Sequence, residues 1–195
     1  ESDWAMHIRR LAALLLGGWL AVSLATLLLA TQNSRTVERL LKSPPAGAAP
    51  ALQNLGQVQA RALLRHAASE QNRSSSEAWE EVQLVWGVVL LLVMSWGKHR
   101  NLGALLPAVL MLATVAVLHW LLTPEIIRLG RLVDFIPADQ PSPERTRLWN
   151  FQLAYLTAEG VKLILGAALA GMLLLHRKRL SARTDRDIAP AAIQD

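Results

Sequence analysis

The stretch His119–Pro137, HWLLTPEIIRLGRLVDFIP, is where an apolar run meets a Thr-Pro pair and resumes with arginines three residues apart. Upstream of it, Leu102–Leu122 holds no Asp, Glu, Lys or Arg. About 20 residues of helix cross the ~30 Å hydrocarbon layer of a bilayer, so His119–Leu122 reads as the end of a membrane span. Thr123 is then a fitting N-cap, Pro124 suits a first helical position, and Glu125 suits the positive end of the helix dipole. At 100° per residue, Ile126, Leu129, Leu132, Val133 and Ile136 share one face and Arg128, Arg131 and Asp134 the other, while Ile127 and Phe135 blur the division. The spacing therefore predicts a separate amphipathic helix over 124–136, lying in the membrane interface and closed by Pro137. Arg128, Arg131, Leu132 and Phe135 are its candidate interaction surface.

Three further apolar blocks flank this one: Leu11–Thr31, Leu153–Leu175 and the shorter Val82–Gly97, which reaches back to Trp79 if Glu80 and Glu81 sit among headgroups. With 52% hydrophobic and 18% charged residues gathered this way, the composition excludes an ordinary soluble domain. The runs are too long and too evenly apolar for barrel strands, and an isolated span satisfies its backbone hydrogen bonds only as helix. The expected fold is all-α: an integral membrane four-helix bundle with extramembrane amphipathic helices on the outer side. It forms one membrane domain over 1–195, with spans near 11–31, 79–97, 102–122 and 153–175. His7-Ile8-Arg9-Arg10 resembles the leader of a signal peptide, but the apolar run behind it exceeds the usual ~7–15 residues and is expected to be a retained first span.

Four spans put both termini on one side. Arg9, Arg10, Lys98, Arg100 and the run Arg177-Lys178-Arg179 crowd into the short segments of that side, whereas the basic residues of the other side are spread over longer stretches. The positive-inside rule then predicts cytoplasmic termini, a cytoplasmic turn at Lys98–Asn101 and a cytoplasmic tail over 176–195, in a multi-pass protein of the bacterial inner membrane. The net charge of +5 fits anionic headgroups, and the basic residues form no aromatic-interleaved patch for nucleic acid. On the outer side, residues 32–78 read as a helical continuation through Lys42, a Pro/Ala linker at Ser43–Pro50, and a helix from about Leu52 to Ser69. A break follows at Asn72–Ser76, with Ser74 and Glu77 as a capping box for the next helix.

Polar residues at membrane depth are few. Glu159 and Lys162 lie three apart on the last span, where each offsets the cost of burying the other, or Lys162 snorkels to the interface. His119 stands at similar depth, within reach of Glu159. These three form the candidate intramembrane polar site. His119 is the sole histidine within a span, so a bis-histidine haem is not expected and no cofactor is assigned. The absence of cysteine excludes disulfides and thiolate chemistry, and no Walker loop, zinc-protease helix or nucleophile elbow appears, so no enzyme activity is expected. Gly17 and Ala21 on the first span, and Gly166, Ala170 and Gly171 on the fourth, are small residues spaced for close helix packing. Trp79, Trp96, Trp120 and Trp149 mark span ends as interface belts do.

The segments LATVAVLHWLLTPEIIRLGRLVDF (Leu112–Phe135) and RTRLWNF (Arg145–Phe151), with Gly17-Gly18-Trp19 in the first span, resemble a family of four-helix membrane proteins of unknown function, whose animal members are linked to drug resistance. The resemblance lies mainly over residues 112–151 and implies a fold more than an activity. Where that family often has a histidine shortly after the aromatic that opens the last span, this chain has Gln152–Ala154. The expected function is that of a non-enzymatic accessory or scaffold subunit of a larger membrane assembly, with lipids and other membrane subunits or further copies as partners. The alternative is a small oligomeric transporter or channel with Glu159, Lys162 and His119 in a polar path.

Overall fold

A computed structural model describes residues 3–96, 102–136 and 140–188. The helices are α1 (Asp3–Lys42), α2 (Ala49–Leu55), α3 (Gln57–Ser95), α4 (Leu102–Val117), α5 (Thr123–Val133) and α6 (Pro143–Ile188), with a π-helical turn at Leu118–Leu122 joining α4 to α5. Four stretches are long and apolar enough to cross a membrane: in α1, in α3, through α4 into α5, and in α6. The chain is thus an all-α, multi-pass membrane bundle, with no strand among the described residues. The expected Lys98–Asn101 turn and the end of the tail lie outside the described residues.

α1 packs on α3 and α6, and α4 packs on the same two helices, which closes a ring of four. Each helix buries one stripe. In α1 it is Ala12, Leu16, Trp19 and Ser23; in α4 it is Ala104, Ala108, Met111, Val115 and, in the adjoining turn, Leu118. Steps of four and three keep such a stripe facing a neighbour along a left-handed bundle. The opposite faces remain apolar yet open: Leu14 is 71% exposed and Ile164 70%. Contiguous faces of this kind associate in water but are at home among acyl chains.

Two helices do not end where the sequence suggests. α3 runs without interruption through Asn72–Ser76, where Asn72 and Arg73 bond across to neighbouring segments instead of competing for their own backbone. Asn72 accepts a bond from the Asn33 amide at 2.6 Å and donates to the Ala30 carbonyl at 3.3 Å, both on α1. At 39 residues α3 is roughly 58 Å long, about twice the hydrocarbon thickness, so its polar half stands beyond the apolar layer. Between α2 and α3 the chain turns at Gly56, whose φ of 74° lies in the left-handed region that glycine adopts without strain.

Thr123 is not an N-cap either. Its φ and ψ of −61° and −44° are helical, and its N–H bonds to the Leu118 carbonyl five residues back. Pro124 has no N–H to give and its ring crowds the carbonyl of Trp120. Widening one turn to π geometry absorbs that conflict and carries the helix on into α5. The interfacial helix expected over 124–136 is therefore the continuation of the third span, packed on α6 and α3.

The small residues divide into two groups. A Cβ on Gly166 would lie 2.5 Å from Leu20 Cδ2, and one on Gly87 would lie 2.8 Å from Leu112 Cδ1 and 2.9 Å from Trp19 Cη2, so both glycines sit at tight crossings. Ala170 packs against the core. Gly17 and Gly171 have nothing within 4 Å of such a Cβ, and Gly17 and Ala21 lie on the open face of α1. Gly166→Val is expected to destabilise the detergent-solubilised protein by about 1–3 kcal/mol through overpacking, and Gly17→Val to leave the monomer's thermal unfolding unchanged; equal effects would disprove this packing.

Candidate functional site: a polar centre inside the bundle

The inward stripe of α3 steps by three and four through His66, Ser69, Arg73, Ser76, Glu80, Gln83, Gly87 and Leu90, so one helix face passes from charged to apolar. Glu80 and Gln83 lie at its middle and are both 0% exposed. They organise the centre.

The Lys162 ammonium, also fully buried, donates to Glu159 Oε1 at 2.7 Å and to Gln83 Oε1. The Trp19 indole N–H donates to the same Gln83 oxygen at 2.8 Å, which ties α1, α3 and α6 together. One turn away, Glu80 Oε1 accepts the Thr123 hydroxyl at 2.7 Å. Its other oxygen lies 3.4 Å from His119 Nδ1, and the Tyr155 hydroxyl is a polar neighbour of both Glu80 and Ser76. The π-turn has a role here, because it adjoins both residues, His119 and Thr123, that address the one carboxylate.

All three residues of the candidate polar site therefore reach the bundle interior, in an unexpected pairing. His119 faces Glu80 instead of Glu159. Lys162 does not snorkel: it donates to an amide and a carboxylate inside the protein, partners that low dielectric requires of an ammonium. Glu80 is buried within the bundle. Reading blocks of apolar residues missed Glu80, Gln83, Trp19 and Tyr155; the three-four stripe of α3, followed through its polar residues, is the signal that finds the first two. Among the described residues no group of three or more His, Asp or Glu is placed to hold a metal ion.

Above the centre, a groove of about 380 Å³ opens between α3, α5 and α6. Ser76, Thr123 and Tyr155 line it, beneath walls that include Arg73, Trp149 and Leu153.

The polar ends of α3 and α5 are clasped. Arg73 binds Asp134 through two bonds of 2.9 Å and Glu70 through one of 3.0 Å; His66 Nδ1 lies 2.7 Å from Asp134, and Arg131 bonds Glu70. A Cβ on Gly130 would fall 2.3 Å from Arg73 Nη2, so glycine here lets the guanidinium lie against α5. Within the expected interaction surface, Arg131 is thus engaged by Glu70, and Arg128 by Glu125 at 2.7 Å. Leu132 and Phe135 are exposed, with the Phe135 ring 5.0 Å from that of His66.

Comparison with protein-family models, with curated proteins and with solved structures finds no match, so this centre is read from its own chemistry.

Removing one partner of a buried ion pair strands the other. Lys162→Ala is expected to cost about 3–5 kcal/mol of stability, and the double change Lys162→Met with Glu159→Gln much less, by thermal unfolding in detergent. At the clasp, hydrogen bonding from Arg131 and then Arg73 holds the Glu70 carboxyl down at about 2, from 4.5. A depressed carboxylate contributes stability that is full above its ordinary value and is lost as pH falls towards the folded one. Spin labels on Ser69→Cys and Arg128→Cys should accordingly show a distance distribution that broadens between pH 4.5 and about 2 and does not respond to pH in that window in Glu70→Gln.

Proposed function

We propose that this chain is a small transporter or channel, acting as an oligomer, with the buried centre as the polar part of its path. The observation that carries the reading is the buried pair Glu159–Lys162, with Glu80 and the partly buried His119 beside it, inside a bundle whose core is otherwise mostly apolar. Holding four helices together does not call for these groups: well-packed apolar residues of similar volume are commonly as stable or more so. Ionisable residues kept at membrane depth belong by default to ion, proton or substrate pathways.

Four spans are few for a pathway in one chain, so a second copy is part of the proposal. The open face of α1 at Gly17 and Ala21 suits it, since small residues let helix backbones approach closely. Neither enzyme activity nor a cofactor is included. The proposal keeps the chain in a bacterial inner membrane and its termini cytoplasmic, an orientation supported by the basic residues of the short segments. Membership of the four-helix family that residues 112–151 resemble is proposed on the passage through Pro124 and the opening of the last helix.

An accessory subunit is the second reading, favoured by the same α1 face together with exposed Leu132 and Phe135. It expects a different membrane protein on that surface.

Flux separates the two. Purified protein in liposomes is expected to dissipate an imposed gradient of protons, sodium or potassium, and the double change Lys162→Met with Glu159→Gln to abolish that flux while the lipid-facing Leu14→Ala retains it. No flux of any of the three in wild type, with a second membrane protein in native mass spectra of the extracted complex, would move the assignment to the accessory role.

A further inference from the structure

The centre has an atomic detail that its packing does not explain. Glu80 Oε2 and His119 Nδ1 are both buried, neither has a hydrogen-bond partner, and they face each other at 3.4 Å. An ionised carboxylate oxygen only accepts hydrogen bonds, as does an imidazole nitrogen without hydrogen. Two such lone pairs repel, and each keeps the desolvation cost of an unpaired buried group. A proton on Nδ1 relieves both, in the Nδ1–H tautomer of the neutral ring or, with one proton more, in the imidazolium.

Charge balance says how many protons the site takes. Glu80 is faced by the Thr123 hydroxyl and His119 from the α4–α5 helix, by Tyr155, Glu159 and Lys162 from α6, by Ser76 on its own helix, and by the neutral Trp19–Gln83 bond on the α1 side. With both carboxylates ionised, Lys162 charged and His119 neutral, the sum is −1. A single additional proton brings it to zero, the state a low-dielectric interior favours.

The same residues supply a route. Ser76, Thr123 and Tyr155 line the groove; Thr123 bonds Glu80, Tyr155 neighbours it and Ser76 neighbours Tyr155, so a short chain of hydroxyls separates the carboxylate from a space with room for several waters. Each hydroxyl both donates and accepts, which is what passing a proton along a chain requires.

We propose that Glu80 and His119 form a binding centre for one proton, loaded from the groove through the hydroxyls of Thr123, Tyr155 and Ser76. This deepens the transport reading by naming what the path carries, and it rests on that reading only for its purpose, since proton binding is observable without flux.

The test uses full-length protein in lipid, titrated by infrared difference spectroscopy. Wild type is expected to show a carboxyl–imidazole titration that disappears in Glu80→Gln and in His119→Gln and persists in Glu81→Gln. Glu159→Gln, which removes one negative charge from the centre, is expected to weaken that proton's binding by about tenfold or more. If Glu80→Gln is not recovered folded, the Glu159→Gln comparison decides. Because the chain has no cysteine, Ser76→Cys and Thr123→Cys can be tested cleanly: both should react with a charged, water-soluble thiosulfonate and Leu118→Cys should not. A titration indifferent to residues 80, 119 and 159, or groove cysteines as inert as Leu118→Cys, overturns the proposal. Titration without flux supports the proton centre and counts against transport; flux that survives in Glu80→Gln, with no titrating group lost, does the reverse.

Discussion

An ammonium group without solvent exposure must find its counter-charge and its acceptors inside the protein. In this bundle Lys162 finds both within one turn and one neighbouring helix, in Glu159 and Gln83. The requirement is strict because the interior screens poorly: an unpaired charge there costs several kcal/mol, a large share of the margin by which a domain is folded. That pairing fixes the rotation of α6 and α3 about their axes. Once Lys162 and Gln83 face each other, Glu80 must point inward one turn away, and Thr123 and His119 are the groups available to receive it.

Glu80 in turn gives the π-turn a reason beyond the relief of a proline. An α-helix reaching Pro124 has two ways out, to stop or to widen. Stopping would leave Leu118–Leu122 carbonyls unsatisfied at membrane depth, where no water is at hand to take them. Widening keeps the backbone bonded and lets the helix carry Thr123 past the carboxylate. The turn thereby joins the apolar span to the charged α5 and brings Leu129 and Gly130 against the bundle.

Much of this was legible in the residues. Four apolar blocks separated by charged segments admit little besides four spanning helices, and Glu159, Lys162 and His119 stand out as polar groups where lipid is expected. What was not legible traces to a single cause: polarity was read as a boundary. Asn72–Ser76 and Thr123-Pro124 are helix-ending signals by local chemistry, and both are overridden by partners far away in sequence, Asn33 and Ala30 for the first, Glu80 for the second. The same habit gives Glu80 no place in the bundle's core, where it is fully buried. The three-four spacing of buried positions in α1 and α3 does not stop where the apolar residues do. It continues outward to Val37 on α1 and His66 on α3, and a helix whose stripe keeps its period has no reason to end.

That continuity bears on how the two polar regions of the molecule act on each other. α3 carries the clasp residues Glu70 and Arg73 and the centre residues Glu80 and Gln83 on one unbroken rod, within about four turns of each other, while α5 begins with Thr123 of the centre and is capped at its far end by Asp134 of the clasp. The groove lies between these same two rods and α6. Opening the groove means separating α3 from α5, and that separation is opposed at one end by Arg73 held between Glu70 and Asp134, and at the other by the Thr123–Glu80 bond. Charge at the clasp and charge at Glu80 therefore work against the same motion. A change that discharges either loosens the groove, so the ion pairs at the polar end act in parallel with the carboxylate in the bundle's interior.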